Sequence, residues 1–225
     1  MKKEIYIYHN LGLGDHIICN GLVRSYALLY DMVYVFCKPH NVRNVVFMYK
    51  DNDKIKVLPI EQKEIVAFIR KNNKECLVAR SVSEFNDVFD VHIYKTAKLS
   101  FLYKWSMFGL VRDLEREKKL FKKLGLSEGE EFIFVHDQQE RLIDESKLPK
   151  GIKVIKPIYL DGFIFDYLYT IEKAKEVHCI DSSFVNLIDC MQLRDIGLFF
   201  HKYVRIESSG EKRTPTLVSE WKVLN

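Results

Sequence analysis

Ile5-Tyr6-Ile7-Tyr8-His9-Asn10-Leu11-Gly12-Leu13-Gly14-Asp15-His16-Ile17 runs from a β-prone apolar segment, through a turn with two glycines, into a segment of helical spacing. Ile5 to His9 reads as a strand. From Ile17 to Tyr30, Ile18, Leu22 and Leu29 fall near one face, which predicts a helix. The two glycines permit a tight turn and close approach of the backbone to a ligand. A strand, a polar turn and a helix in this order open a parallel α/β sheet.

The same rhythm continues outward. Val33 to Cys37 and Ile55 to Pro59 read as strands, Glu61 to Lys71 as a helix carrying Ile65, Phe68 and Ile69, and Cys76 to Ala79 as a fourth strand. Val88 to Tyr94 reads as an edge strand. Tyr103 to Leu124 reads as a connecting helix with Val111, Leu114, Phe121 and Leu124 on one stripe and Gly125 as its stop. A second α/β series follows: strands at 131–136 and 152–155, a helix at 163–175, a strand at 177–180, a helix at 183–192 and a strand at 196–200. The tail through Pro215 and Trp221 reads as irregular or a short helix. The expected fold class is α/β, with two small Rossmann-like lobes at 1–110 and 111–225.

The bulk numbers suit that class. The 225 residues fit two small domains, and 48% hydrophobic with 29% charged residues gives an ordinary core. A net charge of +4 suits a small anionic ligand and falls short of a nucleic-acid binder, so no nucleic acid is expected. The five cysteines form no CxxC and read as reduced thiols of a cytoplasmic protein. No apolar run is long enough to span a membrane, and the basic start leads into a short strand and not into a signal sequence.

Two turns carry the candidate chemistry. In the first, Gly12, Gly14 and His16 surround Asp15, which either caps the helix or points outward as a base. The helix start offers free N–H groups and positive dipole to an anion. A dinucleotide fingerprint would need a small residue at Ile17, so a dehydrogenase is a weaker reading, and there is no Walker lysine. In the second turn, Asp181, Ser182 and Ser183 precede Phe184 and a helix. They either cap that helix or hold a phosphate at its N-terminus. Ligands of α/β folds sit beyond the carboxyl ends of strands, where both turns lie.

Gly12-Leu13-Gly14-Asp15-His16-Ile17 together with Asp181-Ser182-Ser183-Phe184-Val185-Asn186-Leu187 resembles the heptosyltransferase-like group of GT-B glycosyltransferases. The resemblance implies a compact GT-B-like arrangement, with an acceptor-side lobe and then a lobe that binds a nucleotide-sugar. It implies an inverting transfer to a glycan or lipid-linked acceptor, with Asp15 as general base. The turn at Asp181, Ser182 and Ser183 would hold the donor diphosphate, and the ligand would lie between the lobes. Ser183 and Asn186 stand where the group has glycine and histidine. That departure favours the alternative of a non-catalytic module that binds a sugar nucleotide or polysaccharide.

Three further places end strands. His136 and Asp137 lead into a turn bearing Arg141. This is either a strand-end turn with solvated charges or a place where His136 contacts a phosphate or sugar and Arg141 clamps a diphosphate bidentately. His201, Tyr203 and Arg205 follow the last strand, where they either form a basic surface loop or neutralise a leaving diphosphate. Asp51-Asn52-Asp53 sits in a loop ahead of a strand, unlike the acidic pair of metal-dependent transferases, so no metal is expected. No cofactor is expected beyond the nucleotide-sugar as co-substrate. Lys95 to Arg112 mixes basic and aromatic residues, which either pack inward or touch a membrane surface.

Overall fold

The computed structural model describes residues 2–80, 88–157, 163–204 and 214–225. The chain forms two compact units: Met1–Val111 with Ser209–Thr216, and Arg112–Ser208 with Leu217–Asn225.

In the first unit, β1 (Glu4–His9) leads to α1 (Leu13–Ile18) and α2 (Asn20–Leu29). The single helix expected from Ile17 therefore starts four residues earlier and breaks at Cys19. Next come β2 (Met32–Cys37), α3 (Val42–Met48), β3 (Ile55–Pro59), α4 (Gln62–Asn72) and β4 (Cys76–Ala79). All pairings are parallel, in the order β3-β2-β1-β4. β1 is internal, which is why five of its six residues are buried. Tyr6, Tyr8 and Phe36 pack with Ile65, Phe68 and Ile69 of α4 on one face, with the rings of Tyr6 and Tyr34 stacked at 4.6 Å.

Residues 88–94 are not an edge strand: α5 (Phe89–Thr96) is a helix. The alternation of Phe89, Val91 and Ile93 with Asp90, His92 and Tyr94 mimics a strand. Yet Asp90, Ile93, Tyr94 and Ala97 are all buried, at helical spacing. The misleading residue is Asp90. Its carboxylate is fully buried and accepts from Lys104 Nζ (2.9 Å), Thr216 N (2.9 Å) and Thr216 Oγ1 (3.2 Å).

The expected helix at 103–124 is likewise two pieces, α6 (Tyr103–Ser106) and α7 (Leu114–Lys123). Gly109 interrupts it because both of its backbone groups are bound elsewhere. Its N–H donates to Asn20 Oδ1 (2.9 Å), and its carbonyl accepts from Arg24 (2.8 Å). Leu114 and Val111 are exposed, so only Phe121 of the proposed stripe is deeply buried. Asp113 caps α7 through Arg116 N, and Gly125 ends it at φ 71°.

The second unit holds β5 (Phe132–His136), β6 (Lys153–Ile155), α8 (Leu168–Lys173), β7 (Glu176–Cys179), α9 (Ser183–Met191), β8 (Gly197–His201) and β9 (Trp221–Leu224). The helix expected from Phe163 begins as a 3-10 turn over Ile164–Tyr167. Its sheet is parallel throughout, in the order β6-β5-β7-β8-β9. Residues 214–220 are irregular, as expected, but the tail then ends in a strand: Trp221 lies opposite Leu198 and Leu224 opposite His201. Among the described residues, no helix is long and apolar enough to cross a membrane. All five cysteines are free thiols, four of them buried.

Candidate functional site

The carboxyl edge of the first sheet is built by register. His9 pairs with Ala79, and Ile7 with Val35, which brings Cys37 level with His9. Asn10, Lys38 and Arg80 therefore leave three adjacent strands side by side. Asp15 faces them. It is half-buried, and burial raises its pKa, opposed by hydrogen bonds from Gly12 N–H and the Asn10 side chain and by the Lys38 charge. A carboxylate made more basic by desolvation is a better proton acceptor.

Asp15 also caps. Gly12 N donates to Asp15 Oδ2 at 3.1 Å, closing the first turn of α1. A β-carbon on Gly12 would stand 2.6 Å from that oxygen, so the glycine is what admits the carboxylate. Asn41 Nδ2 donates to Leu11 O at 3.1 Å and fixes the turn from below. Gly14 is half-buried in α1. His16 points inward, fully buried, its ring 4.5 Å edge-on from that of His9. Burial pushes His9 down to about 4 and His16 well below the usual histidine value. Asp51, in the loop ahead of β3, is paired with Arg24 at 2.8 Å.

In the second unit, the carboxyl ends of β5, β7 and β8 gather most of the remaining candidates. His136 is buried, and burial lowers it to about 4, so its ring is neutral. Its Nδ1 lies 3.0 Å from Ser182 Oγ, and its ring centroid 4.5 Å from that of Phe184. Ser182 is the N-cap residue of α9, yet its hydroxyl serves His136 and makes no side-chain cap. Serine at an N-cap ordinarily occupies one of the orphan helix N–H groups. Here that hydroxyl is diverted, and the turn formed by Asp181, Ser182 and Ser183 is half-buried. Arg141 Nη1 donates to Asp181 O at 3.1 Å, and its Nη2 to Gln138, which ties the turn after β5 to the turn after β7. Asn186 Nδ2 donates to Ser182 O at 3.1 Å. Asp137 pairs with Lys156 at 2.7 Å.

His201 is fully buried with both ring nitrogens engaged, by His178 (3.0 Å) and Tyr203 (3.0 Å). Tyr203 is half-buried at the edge, with Lys147 Nζ 4.0 Å above its ring. Arg205 lies outside the described residues. Among the described residues, no three His, Cys, Asp or Glu side chains converge as a metal-binding group. In the 95–112 stretch, Tyr94, Phe101 and Trp105 stack edge-to-face inward, while Leu102 and Tyr103 are exposed. Asn10, Lys38 and Arg80 escaped the sequence reading. Each follows a strand end singly, and only the strand order brings them together.

No family model and no curated protein matches the chain. Solved structures do. A glycosyl transferase family 9 protein from Veillonella parvula DSM 2008 matches with a TM-score of 0.61 at 8% identity, over 99% of this chain and 86% of that one. The ADP-heptose lps heptosyltransferase II of E. coli matches with a TM-score of 0.61 at 10% identity, over 99% and 90%. The fold is GT-B-like. In this GT-B-like chain, the turn of Asp15 and the turn of Ser182 occupy equivalent places in their own units, each joining the carboxyl end of a buried strand to a helix.

Proposed function

We propose that the chain is an inverting, metal-independent glycosyltransferase that moves a sugar from a nucleotide-sugar to a hydroxyl of a glycan or lipid-linked acceptor. The observation that carries this reading is the Asp15 carboxylate, half-buried and raised in pKa at the carboxyl edge of the first sheet, in a chain whose whole length has a glycosyltransferase fold. In the proposed reaction the acceptor oxygen forms the new bond to the anomeric carbon and its proton passes to Asp15. The bond from that carbon to the nucleotide diphosphate breaks, and the leaving group keeps the electron pair. The diphosphate binds at the start of α9, with Arg141 and the helix dipole as counter-charge. Free cysteines fit a cytoplasmic, reducing compartment. The exposed Leu102 and Tyr103 would be the point of contact with a membrane bearing the acceptor.

One observation favours the alternative, a non-catalytic module that binds a sugar nucleotide or polysaccharide. Asp15 already has structural work, capping α1 through Gly12. Asp15→Asn separates the two readings, because asparagine keeps an oxygen for that cap and loses the basicity. A thermal-shift screen against UDP-, GDP-, ADP-, CMP- and dTDP-sugars first names the donor; at about a hundred times its dissociation constant a ligand stabilises by roughly 2.7 kcal/mol. With that donor, the substitution is expected to lower turnover on the order of 10²- to 10⁴-fold and leave donor affinity unchanged. Retained turnover would remove Asp15 as the base; binding without any turnover in the unaltered protein would favour the module.

A further inference from the structure

Behind the carboxyl edge of the second unit, a row of side chains is joined by unbroken hydrogen bonds. His178 Nε2 lies 3.1 Å from Glu176 Oε2, and His178 Nδ1 lies 3.0 Å from His201 Nε2. His201 Nδ1 lies 3.0 Å from the Tyr203 hydroxyl, and Asp144 N donates to that same hydroxyl at 3.0 Å. The two imidazoles are buried, while Glu176 and Tyr203 are half-buried. Glu176 is the first residue of β7 and His201 the last of β8. The row therefore crosses from the amino edge of the sheet to its carboxyl edge.

The Glu176 end of the row fixes its sense. An ionised carboxylate only accepts, so His178 carries its proton on Nε2. A neutral imidazole has one N–H, so His178 Nδ1 accepts, and His201 must donate from Nε2. His201 Nδ1 then accepts, and the Tyr203 hydroxyl supplies the proton. At the far end the backbone N–H of Asp144 only donates, and it takes a lone pair of the same hydroxyl. One arrangement of protons satisfies every member.

We propose that Glu176 and His178 are positioning residues that act through His201: they turn the Tyr203 hydroxyl proton inward, hold the turn at 144–147 against the end of β8, and so set Tyr203 and Lys147 at the carboxyl edge. The proposal stands on this geometry and does not rest on the transferase reading. The surroundings keep both rings neutral. Burial, then the neighbouring His178 and Lys147, press His201 down to about 4 against the pull of Asp144. Burial lowers His178 against Glu176, and the Phe199 ring, itself carrying Lys222, stacks on it at 4.6 Å. In a row of this kind, a change at the carboxylate end is felt at the other, because each tautomer dictates the next.

Nitrogen NMR on the full chain, labelled at histidine, reads the tautomers directly at neutral pH. Both His178 and His201 are expected to carry hydrogen on Nε2. Glu176→Leu removes the accepting end. His201, which Glu176 does not touch, is then expected to become a mixture of tautomers, with faster hydrogen exchange at the Asp144 amide. Tyr203→Phe removes the other end: Glu176 still dictates both rings, so His178 and His201 are expected to keep hydrogen on Nε2, while the Asp144 amide, having lost its acceptor, exchanges faster. This second variant keeps the experiment decisive if Glu176→Leu does not fold. A wild-type His201 protonated on Nδ1, a His201 that keeps its single tautomer in folded Glu176→Leu, or an Asp144 amide unchanged in Tyr203→Phe would overturn the proposal.

Discussion

At Gly12 the carboxylate of Asp15 comes so close that no side chain fits. A β-carbon there would meet Asp15 Oδ2 at 2.6 Å, although the backbone, at φ −69°, would accept alanine without strain. Gly12→Ala must therefore move the carboxylate and break its bond to the Gly12 N–H. A misplacement of about 1 Å in a reacting group costs roughly 10²-fold in rate. With Asp15 as the base proposed above, the expected outcome is a drop of that order in turnover, with a stability loss of only about 1 kcal/mol for the weakened cap. Steady-state kinetics beside a melting curve measures both, and wild-type turnover would mean that Asp15 does not need its place. The two glycines and the acid were legible in the sequence as the turn between the first strand and a helix. The two readings of the acid, cap or base, were not separable there, because both use the same oxygen position. The structure adds that the cap is made and that desolvation keeps the acid basic.

At the level of elements, the last strand depends on one buried acid. Asp189 of α9 is fully buried, and its Oδ1 accepts from Val218 N (2.9 Å), Ser219 N (2.9 Å) and Trp221 Nε1 (3.3 Å). These bonds deliver the chain into β9 beside β8. Asp189→Ala strands several donors at once, each costing about 1–3 kcal/mol if it stays buried. The expected result is a loss of roughly 3 kcal/mol or more in a urea titration, with early hydrogen exchange across β9; an unchanged midpoint would show that the strand holds by its apolar contacts alone. This anchor also explains what the sequence concealed. The strands at 5–9, 33–37, 55–59 and 76–79 announce themselves because each is an apolar run between turns. β9 carries two exposed positions in four and pairs on one side, so its pattern is faint. α5 and the break at Gly109 were hidden for a related reason: a buried ion pair inverted the apparent pattern in the first, and distant side chains claimed the backbone in the second.

For the whole molecule, the main electrostatic consequence lies in five of the six buried histidines of the described residues, spread over both units: His9, His16, His136, His178 and His201. Composition alone shows histidines but not where the fold puts them, just as it could not show that strand order aligns Lys38, Asn10 and Arg80. Burial lowers all five; His9, His136 and His201 reach about 4. In the unfolded chain each titrates near 6.5. Between those values the unfolded state binds protons that the native state refuses, so stability rises with pH across that window. The contribution is fully present above about 6.5 and is lost as pH falls toward 4, at up to about 1.4 kcal/mol per pH unit for each histidine. Asp15 acts in the opposite sense. Its raised pKa makes its contribution largest in acid and lost as pH rises through its folded value, and one carboxyl does not offset five imidazoles. Melting curves from pH 7.5 down to pH 4.5 in one ionic strength are therefore expected to fall steadily, steepest below about 6.5, well before most carboxylates titrate. A melting temperature that stays level to pH 5 would show that these rings accept protons in the folded state, and so are not held neutral by burial.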